Sequence, residues 1–363
     1  MSQVTYIMIE GGLGKECAFS ALLPKLKERY GKIVVVSPYP QLFFGSPHIA
    51  GVHHPEEPFY DRVPRDANII HREPYKSPYV FGKTHLCFEW ARQFEIEWTP
   101  ADKPQFFGLP QWEMEAVNIR QQRLPREYIL IQFAGGQSPY DANKPHVFRP
   151  GGQRRAYPLN MAQEFINAFH RKFPDIGIVN YAMINEEYFN LQDCITLNTA
   201  YWYYPYLLRS SLGFIAVDSS LHHMAAATGT PGVVIWGTTG PDMLGWEGQT
   251  NLSNTTRHEG RPLCHPFGDV KNADGTPWVD RDILSTAVPT KDLLAAVGNI
   301  IHRRRSERQK AKKKTAAHAP GTCGGQGSGT CGGQGSGTCG GQDPGTCGGQ
   351  GSGVPQTKEV GDA

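Results

Sequence analysis

Short apolar runs alternate with helix-like segments along most of the chain, and this alternation constrains the fold more than any other feature. The run KIVVVSP at 32–38 has only apolar residues at its centre, as expected of a strand buried on both faces of a parallel sheet. It follows KECAFSALLPKLKERY at 15–30, in which apolar residues recur at helical spacing. This order of elements predicts an α/β fold.

A second series of the same kind follows in the other half of the chain. It runs through EYILIQFAGG, LNMAQEFINAFHRKF, IGIVNYA, ITLN, YYPYLLRSS, LGFIAVDSS, LHHMAAATG and GVVIWG. TKDLLAAVGNIIH at 290–302 predicts a closing helix, and the polar stretch 98–126 is interpreted as a connection. We therefore predict two facing Rossmann-like domains, at 1–120 and 121–302, followed by a further segment at 303–363.

The far end of the chain has a composition that does not suit a folded core. The repeat GTCGGQGS recurs with a period of eight from Gly321 and is nearly half glycine, which predicts a disordered tail. Four of the eight cysteines lie in this repeat, and the other four are scattered without a CxxC pair. Reduced thiols are therefore expected. A metal site at Cys264 and His265, with His258 nearby, is the alternative.

Two further features bear on location and partners. No apolar run approaches the roughly 18–20 residues that a membrane span needs, and the start MSQVTYIMIEGG lacks the parts of a signal peptide. A cytoplasmic protein without a transmembrane segment is expected. Eight basic residues and one acid lie from Arg303 to Lys314. This block is interpreted as a solvated helix end or tail, with nucleic-acid binding as the alternative.

The loop IEGGLGKE at 9–16 joins the first expected strand to the first expected helix. Its spacing matches neither GxxxxGK[ST] nor GxGxxG, so it is neither a P-loop nor a dinucleotide fingerprint. Gly11, Gly12 and Gly14 still allow the backbone to approach a phosphate or an acceptor at the positive end of a helix. A tight turn that requires glycine is the alternative interpretation of the same residues.

The segment AVDSSLHHMAAATGTPGVVIWG predicts a strand, a polar loop, a small-residue helix, a turn and a second strand. Asp218 ends the first strand, and Ser219 and Ser220 are placed to cap the helix and to bind a diphosphate together with its free amides. His222 and His223 follow in the first turn, so one of them is expected to face the same loop. A well-capped helix without a ligand is the alternative.

This segment, extended through GTTGPDMLGW, resembles the signature of ADP-heptose:lipopolysaccharide heptosyltransferases, glycosyltransferase family 9. The family pattern is an apolar strand, D-[ST]-G-x-x-H-x-A-A-A-x-G-T-P, a second strand and F-G-x-T-x-P. The matching positions are Asp218, Ser219, His223, Ala225, Ala226, Gly229, Thr230, Pro231, Gly237, Thr239 and Pro241. Ser220 replaces a family glycine, and fainter similarity extends over 4–302.

The resemblance implies a GT-B fold and transfer of a sugar from a nucleotide-diphosphate donor to an acceptor hydroxyl, with inversion and with neither metal nor other cofactor. It implies donor-binding groups in the C-terminal half, at Arg155, Glu186 (or its neighbour Glu187), Asp218, Ser219, Ser220, His222, His223, Thr238 and Thr239. The implied acceptor is a saccharide or a lipid-linked sugar. It would lie near Gly11, Gly12 and Gly14 in the N-terminal half.

The general base is not assigned by the resemblance. The aspartate that usually accepts the proton in this family corresponds to Lys15, which is cationic at neutral pH. Glu16 and Glu10 are the neighbouring carboxylates, so the candidate catalytic residues are Lys15, Glu16 and Glu10. Two alternative functions remain, a transferase acting on hydroxylated bases in DNA and a non-catalytic protein that binds a sugar nucleotide or serves as a scaffold.

Overall fold

The computed structural model describes residues 4–56, 63–64, 66–75, 84–135, 155–182, 190–237, 239–253 and 286–317. It also gives the backbone of two short strands at 140–141 and 144–148. Both parallel sheets belong to one unit, Met1–Thr315. The expected domain boundaries at 120 and 302 both fall inside this unit, and the division of the chain at these positions stays a prediction.

The first sheet has four parallel strands. These are β1 (Thr5–Met8), β2 (Ile33–Val36), β3 (Gly51–His53) and β4 (Asn68–His71), in the spatial order β3-β2-β1-β4. α1 (Leu13–Phe19), a 3₁₀ turn (Ser20–Leu22) and α2 (Leu23–Tyr30) connect β1 to β2, and α3 (Leu86–Phe94) follows β4. The expected single helix over 15–30 is interrupted before Pro24, because proline fits only the first turn of a helix.

One helix was missed in the expected connection at 98–126. α4 (Pro110–Arg123) buries only Ala116 among its residues, and the side chains of Met114 and Val117 are exposed. The apolar residues therefore form no stripe at helical spacing, which is the signal that sequence analysis uses.

The second sheet has six parallel strands in the Rossmann order. β5 (Tyr128–Gln132) is followed by a separate antiparallel pair, β6 (Tyr140–Asp141) and β7 (Lys144–Phe148). The remaining strands are β8 (Gly177–Asn180), β9 (Ile195–Thr196), β10 (Gly213–Val217), β11 (Gly232–Ile235) and β12 (Thr250–Leu252). They are arranged β9-β8-β5-β10-β11-β12. The helices between them are α5 (Leu159–Lys172), α6 (Tyr204–Ser210), α7 (Ser220–Thr228) and α8 (Pro241–Leu244). The expected α/β fold with two Rossmann-like sheets is confirmed.

Alternating residues of the second sheet face two different cores. Tyr128 and Leu130 of β5 belong to a core that also contains residues of β1, α1 and α7. Ile129 and Ile131 belong to the core on the opposite face, which contains residues of α5. Because the first core joins residues of both sheets, the two halves of the chain are held together by shared apolar packing.

The closing helix is longer than expected. α9 runs over Thr290–Ala317, so the basic block from Arg303 to Lys314 is helical. Arg305 Nε donates to Glu127 Oε2 at 2.8 Å, and Arg305 Nη2 lies 2.6 Å from Asp175 Oδ2. This arginine therefore anchors the helix to the second sheet. Nucleic-acid binding by the rest of the block is not tested by the structure.

Ending the chain after His302 will destabilise the protein more than ending it after Ala317. Arg308 Nη2 donates to the carbonyl oxygens of Ser210 and Ser211 at 2.7 Å, and the shorter chain loses these bonds together with the ion pairs described above. Hydrogen bonds to charged groups contribute about 1.5–3 kcal/mol each, so the melting temperature should fall by several degrees. Calorimetry of the two truncated proteins measures the difference, and equal melting temperatures would contradict an anchoring role.

Several sequence-based predictions lie outside the described residues. These are the roles of Glu186 and Thr238, the alternative metal site at Cys264 and His265, and the disordered tail beyond residue 317. Within the described ranges Cys17, Cys87 and Cys194 are free thiols, as expected. No helix in that part of the chain has the length and apolar character that crossing a bilayer requires.

Candidate functional site

The candidate residues lie in each sheet at the point where the order of the strands reverses. In the second sheet the strand order reverses between β5 and β10, and in the first sheet between β1 and β4. Loops that leave strands at such a point diverge to opposite faces and open a crevice for ligands. Gly135 and Asp218 follow β5 and β10, and Lys15 and Glu73 follow β1 and β4. The topology therefore places both loops singled out in the sequence at ligand-binding edges.

Asp218 is the centre of a polar cluster in the second half. It is buried, its Oδ2 accepts a hydrogen bond from Thr239 Oγ1 at 2.7 Å, and the same oxygen lies 3.4 Å from Arg155 Nη1. Burial alone would raise the pKa of this carboxyl, but the charge of Arg155 and the neighbouring hydrogen bonds hold the pKa below its ordinary value. Asp218 is therefore a carboxylate that links Arg155 to the loop at Thr239.

The amino end of α7 is capped by a residue from another strand. Ser219 is the N-cap, but its side chain makes no hydrogen bond to the helix, and the amide of Leu221 donates instead to Gln132 Oε1 at 3.1 Å. The Ser219 hydroxyl is buried and has no hydrogen-bond partner among the described residues. An unpaired buried hydroxyl is unfavourable, so this group is suited to a ligand at the positive end of the helix.

The glycine loop of the first half packs directly on α7. A Cβ atom added to Gly14 would lie 3.0 Å from His223 Cδ2 and 3.4 Å from the Ser220 backbone nitrogen. Gly14 therefore allows α1 to approach α7 closely. Gly11 has a φ of +138°, which favours glycine, whereas Gly12 has open space around it. The loop thus meets the requirements of a turn and of close packing, and phosphate binding by its amides is not tested.

Gly135→Ala should destabilise the protein, because a Cβ atom there would lie 2.3 Å from the carbonyl oxygen of Asp218. A backbone atom moves aside less easily than a side chain, and overpacking of this kind costs about 1–3 kcal/mol. Gly12→Ala is the matched control, since no heavy atom of the described residues, its chain neighbours aside, lies within 4 Å of its Cβ position. Urea denaturation compares the two variants, and an equal loss in both would contradict the close approach at Gly135.

The two adjacent histidines of α7 have different surroundings. His223 Nδ1 accepts a hydrogen bond from Trp246 Nε1 at 2.8 Å. His222 has no hydrogen-bond partner among the described residues, and its Nε2 lies 3.6 Å from Asp218 Oδ1, which is too far for a hydrogen bond. Burial and the neighbouring His222 hold the pKa of His223 well below its ordinary value, so its ring is neutral at physiological pH.

Asp218, His222 and His223 have ligand atoms within 4.8 Å of one another, a spacing that a metal ion is able to bridge. The hydrogen bonds of Asp218 and His223 do not suit such an ion. Asp218 Oδ2 already accepts from Thr239, and Trp246 occupies His223 Nδ1. His223 would ligate through Nε2 only after losing its remaining proton. Asp218 and His223 are therefore engaged by Thr239 and Trp246, whereas His222 has no such partner among the described residues. The expected absence of a metal is not tested.

Lys15 is held by residues of the first half. Its side chain is only 7% exposed, and Nζ lies 2.8 Å from Glu73 Oε2. The ammonium group also lies 4.6 Å from the ring centroid of Tyr75 and 5.7 Å from that of Trp90. An ammonium group in an ion pair has no lone pair for the proton of an acceptor hydroxyl.

Tyr75, whose ring contacts the Lys15 ammonium group, is affected by charges in both halves of the chain. Its pKa is raised by burial and by the charge of Glu73, and the charges of Arg155 and Asp218 also act on it in opposite directions. Tyr75 therefore senses charges from both halves of the chain. Sequence analysis missed Glu73 and Tyr75, because they follow the mostly exposed strand β4 and belong to no motif.

Glu16 and Glu10 lie in opposite environments. The side chain of Glu10 is 70% exposed, with its Oε2 4.0 Å from His71 Nε2. Glu16 is fully buried, accepts a hydrogen bond from the Ser37 hydroxyl, and has no partner for Oε1 among the described residues. Burial raises the pKa of Glu16 to about 8, although the Ser37 hydrogen bond and the charge of Lys15 oppose the shift. Glu16 is therefore mostly protonated at neutral pH.

Glu16 lies where residues of the two halves meet. Burial and the nearby charge of Glu16 raise the pKa of Tyr39, in the loop after β2, and of Tyr201, in the turn before α6. The rings of these two tyrosines are in edge contact, with centroids 5.6 Å apart. The ionised Glu16 carboxylate therefore acts electrostatically on one tyrosine from each half.

Solved structures with a similar fold include several sugar transferases. A family 9 glycosyl transferase from Veillonella parvula aligns with a TM-score of 0.59 at 12% identity, over 83% of this chain and 98% of that one. ADP-heptose lps heptosyltransferase II from E. coli aligns with a TM-score of 0.58 at 13% identity, over 84% and 99%. The iron-containing heptosyltransferase TibC from enterotoxigenic E. coli, in complex with ADP-D-β-D-heptose, aligns with a TM-score of 0.54 at 14% identity, over 84% and 77%.

The amino-acid sequence matches no family model and no curated protein. Besides the sequence resemblance that begins at Asp218, the fold is similar to that of these solved structures over more than four fifths of the chain. At identities of 12 to 14% this similarity concerns the fold. The chain has the GT-B fold of two Rossmann-like sheets that is found in solved family 9 glycosyltransferases.

Proposed function

We propose that this protein is a glycosyltransferase that moves a sugar from a nucleoside diphosphate donor to an acceptor hydroxyl. The proposal is carried by the amino end of α7, where the buried Ser219 hydroxyl has no partner among the described residues and Arg155 joins the same cluster. Helix amides, a free hydroxyl and a guanidinium group are well suited to bind a diphosphate. The similarity in fold to family 9 glycosyltransferases supports the same interpretation.

In this proposal the diphosphate binds at the start of α7. The first amides of a helix have no partner within it, and Gln132 occupies only the amide of Leu221. Arg155 is 3.4 Å from Asp218, a long contact that leaves N–H groups of the guanidinium for phosphate oxygens. These donors would stabilise the negative charge that develops on the diphosphate as the sugar leaves.

The names of the structural neighbours suggest which substrates to test first. Two of these proteins are described as heptosyltransferases, and one was solved with ADP-D-β-D-heptose. We therefore propose an ADP-sugar as the first donor and a saccharide hydroxyl, free or lipid-linked, as the acceptor. Inversion, independence of metal ions and a cytoplasmic site of action belong to the same proposal.

We propose Glu16 as the group that accepts the proton of the acceptor hydroxyl. Of the two carboxylates within the loop at 9–16, Glu10 is exposed, whereas Glu16 is buried and acts on the pKa values of Tyr39 and Tyr201. Its Oε1 has no hydrogen-bond partner among the described residues. A carboxyl whose pKa is raised by burial is a stronger base once it is ionised.

Binding of nucleotide sugars to the full-length protein tests the donor site. In a thermal-shift panel of ADP-, GDP-, UDP-, CMP- and dTDP-sugars, we expect stabilisation by one nucleotide, about 2.7 kcal/mol at 100 times the Kd, which is a shift of a few degrees. Arg155→Ala should weaken the binding about 10-fold or more. Arg171→Ala should not, because this exposed arginine lies in the last turn of α5.

The outcomes of this panel separate the candidate functions. A cooperatively folded wild-type protein that no nucleotide stabilises would overturn the donor site. Binding without transfer to any saccharide would support the non-catalytic alternative, which the lysine at position 15 also favours, since the family has an aspartate there. Binding followed by transfer to a saccharide supports the enzyme.

A further inference from the structure

We propose that Trp246 is a positioning residue that holds His223 in the Nε2–H tautomer, so that Nε2 donates a hydrogen bond to the diphosphate of the donor. The inference rests on the proposed glycosyltransferase function. It gives a role to a tryptophan that sequence analysis did not single out, and it defines which form of the histidine meets the ligand.

The contact between the two side chains determines which nitrogen carries the proton. The indole nitrogen of Trp246 is a donor only, and it lies 2.8 Å from His223 Nδ1. Nδ1 must therefore accept, and the proton of a neutral ring then resides on Nε2. Trp246 is 4% exposed and His223 is 3% exposed, so bulk water does not compete for this hydrogen bond.

The other edge of the imidazole ring faces the meeting point of the two halves. A Cβ atom on Gly14 would lie 3.0 Å from His223 Cδ2, which is bonded to Nε2, and 3.4 Å from the Ser220 nitrogen. Cδ2, the ring carbon next to Nε2, therefore lies where α1 meets the amino end of α7. This is the place where the proposed function puts the diphosphate.

Trp246 is itself held by residues of the first half. His85 Nδ1 accepts from the Cys87 amide at 3.2 Å, so His85 Nε2 carries a proton and donates to the carbonyl oxygen of Gly245 at 3.2 Å. The ring of His85 also meets Trp246 edge-on at 5.0 Å and stacks on Trp98 at 4.5 Å. These contacts fix the loop that carries Trp246, so the direction of the indole N–H is set before a ligand binds.

His223 has three conceivable roles, namely a neutral hydrogen-bond donor, a positively charged group and a metal ligand, and the structure disfavours the last two. A positively charged His223 would lie in a buried site beside the His222 ring, whose centroid is 3.9 Å away, and burial disfavours that charge. A metal ligand would need a lone pair on Nε2, and the tautomer set by Trp246 has a proton there.

Nuclear magnetic resonance tests the tautomer without any substrate. In long-range ¹H–¹⁵N spectra of the full-length protein labelled with ¹⁵N-histidine, we expect His223 to have a protonated Nε2 and an unprotonated Nδ1 at pH 7. Trp246→Phe should remove this preference. Trp236→Phe should retain it, because Trp236 is also buried but donates to Asn251. A protonated Nδ1 in wild-type His223 would overturn the proposal.

Binding measurements connect the tautomer to the ligand. By calorimetry with ADP, Trp246→Phe should raise the Kd about 10-fold, and this effect should be absent in a His223→Asn background. His223→Gln, whose amide nitrogen is able to replace Nε2, should bind ADP more tightly than His223→Asn, whose amide replaces Nδ1. An unchanged Kd for Trp246→Phe would overturn this inference alone. A wild-type protein that binds neither ADP nor any other nucleotide would overturn the proposed donor site as well.

Discussion

Asp218→Ala will cause the largest loss of stability among substitutions in the polar cluster of the second half. It removes the carboxylate that pairs with Arg155 and accepts from Thr239, and it leaves both groups without that acceptor. Removing one member of a buried ion pair costs about 3–5 kcal/mol. Urea denaturation measures the change in the free energy of unfolding. A loss below about 1 kcal/mol would be incompatible with a buried, paired carboxylate.

The pH dependence of stability separates the charge of Asp218 from its packing. The pKa of Asp218 is below its ordinary value in the folded protein. As the pH falls, Asp218 is therefore protonated at a higher pH in the unfolded chain than in the folded chain. The stabilisation is complete above about pH 4 and is lost as the pH falls through the lower pKa of the folded state. Asp218→Asn keeps the shape of the side chain. The difference in unfolding free energy between wild type and Asp218→Asn should therefore shrink below about pH 4.

Glu16 gives the stability of the protein a pH dependence opposite in sign to that from Asp218, and Glu16→Gln will remove it. Burial holds the pKa of Glu16 at about 8, so the folded chain keeps a proton that the unfolded chain releases near the ordinary value of 4.5. The unfolding free energy of wild type should fall as the pH rises from about 4.5 to about 8, by up to about 1.4 kcal/mol per pH unit from this group. Glutamine has no such proton, so the variant should gain stability relative to wild type over this range.

The same substitution tests the proposed proton acceptor. Glu16→Gln should lower kcat about 100-fold or more, and the wild-type rate should rise with pH toward about 8, where Glu16 ionises. Glu10→Gln is the matched control and should show neither the stability effect nor the loss of rate, because Glu10 is exposed. A Glu16→Gln enzyme with full turnover would remove Glu16 from the mechanism and leave the stability prediction standing.

The strands were predictable because burial on both faces leaves a continuous apolar run. Ile33–Val36 and Gly213–Val217 are buried at every position, and their sequences show it. α4 was missed because a helix that buries only Ala116 has no apolar stripe. The extension of α9 was missed because Arg305 is held by acids far away in the sequence, and a run of basic residues looks the same in a helix or in a tail.

The candidate site was predictable only where one continuous segment provides it. Residues 218–223 form a motif, so sequence analysis located them. The pair of Lys15 and Glu73 joins residues 58 positions apart, and His223 and Trp246 are 23 positions apart. The approach of Gly14 to α7 joins opposite halves of the chain. No local pattern encodes such contacts, because they arise from the arrangement of the sheets.

The position of α9 has a consequence for biosynthesis. Leu293, Val297, Ile300 and Ile301 of this helix complete the core on one face of the second sheet. The chain is synthesised from its amino terminus, so the strands of this sheet leave the ribosome before the helix that covers them. During that interval an apolar sheet face is open to chaperones and to other nascent chains. All four strands of the first sheet have been synthesised once the chain reaches His71. The order of translation therefore makes the second sheet the later and more aggregation-prone part to fold.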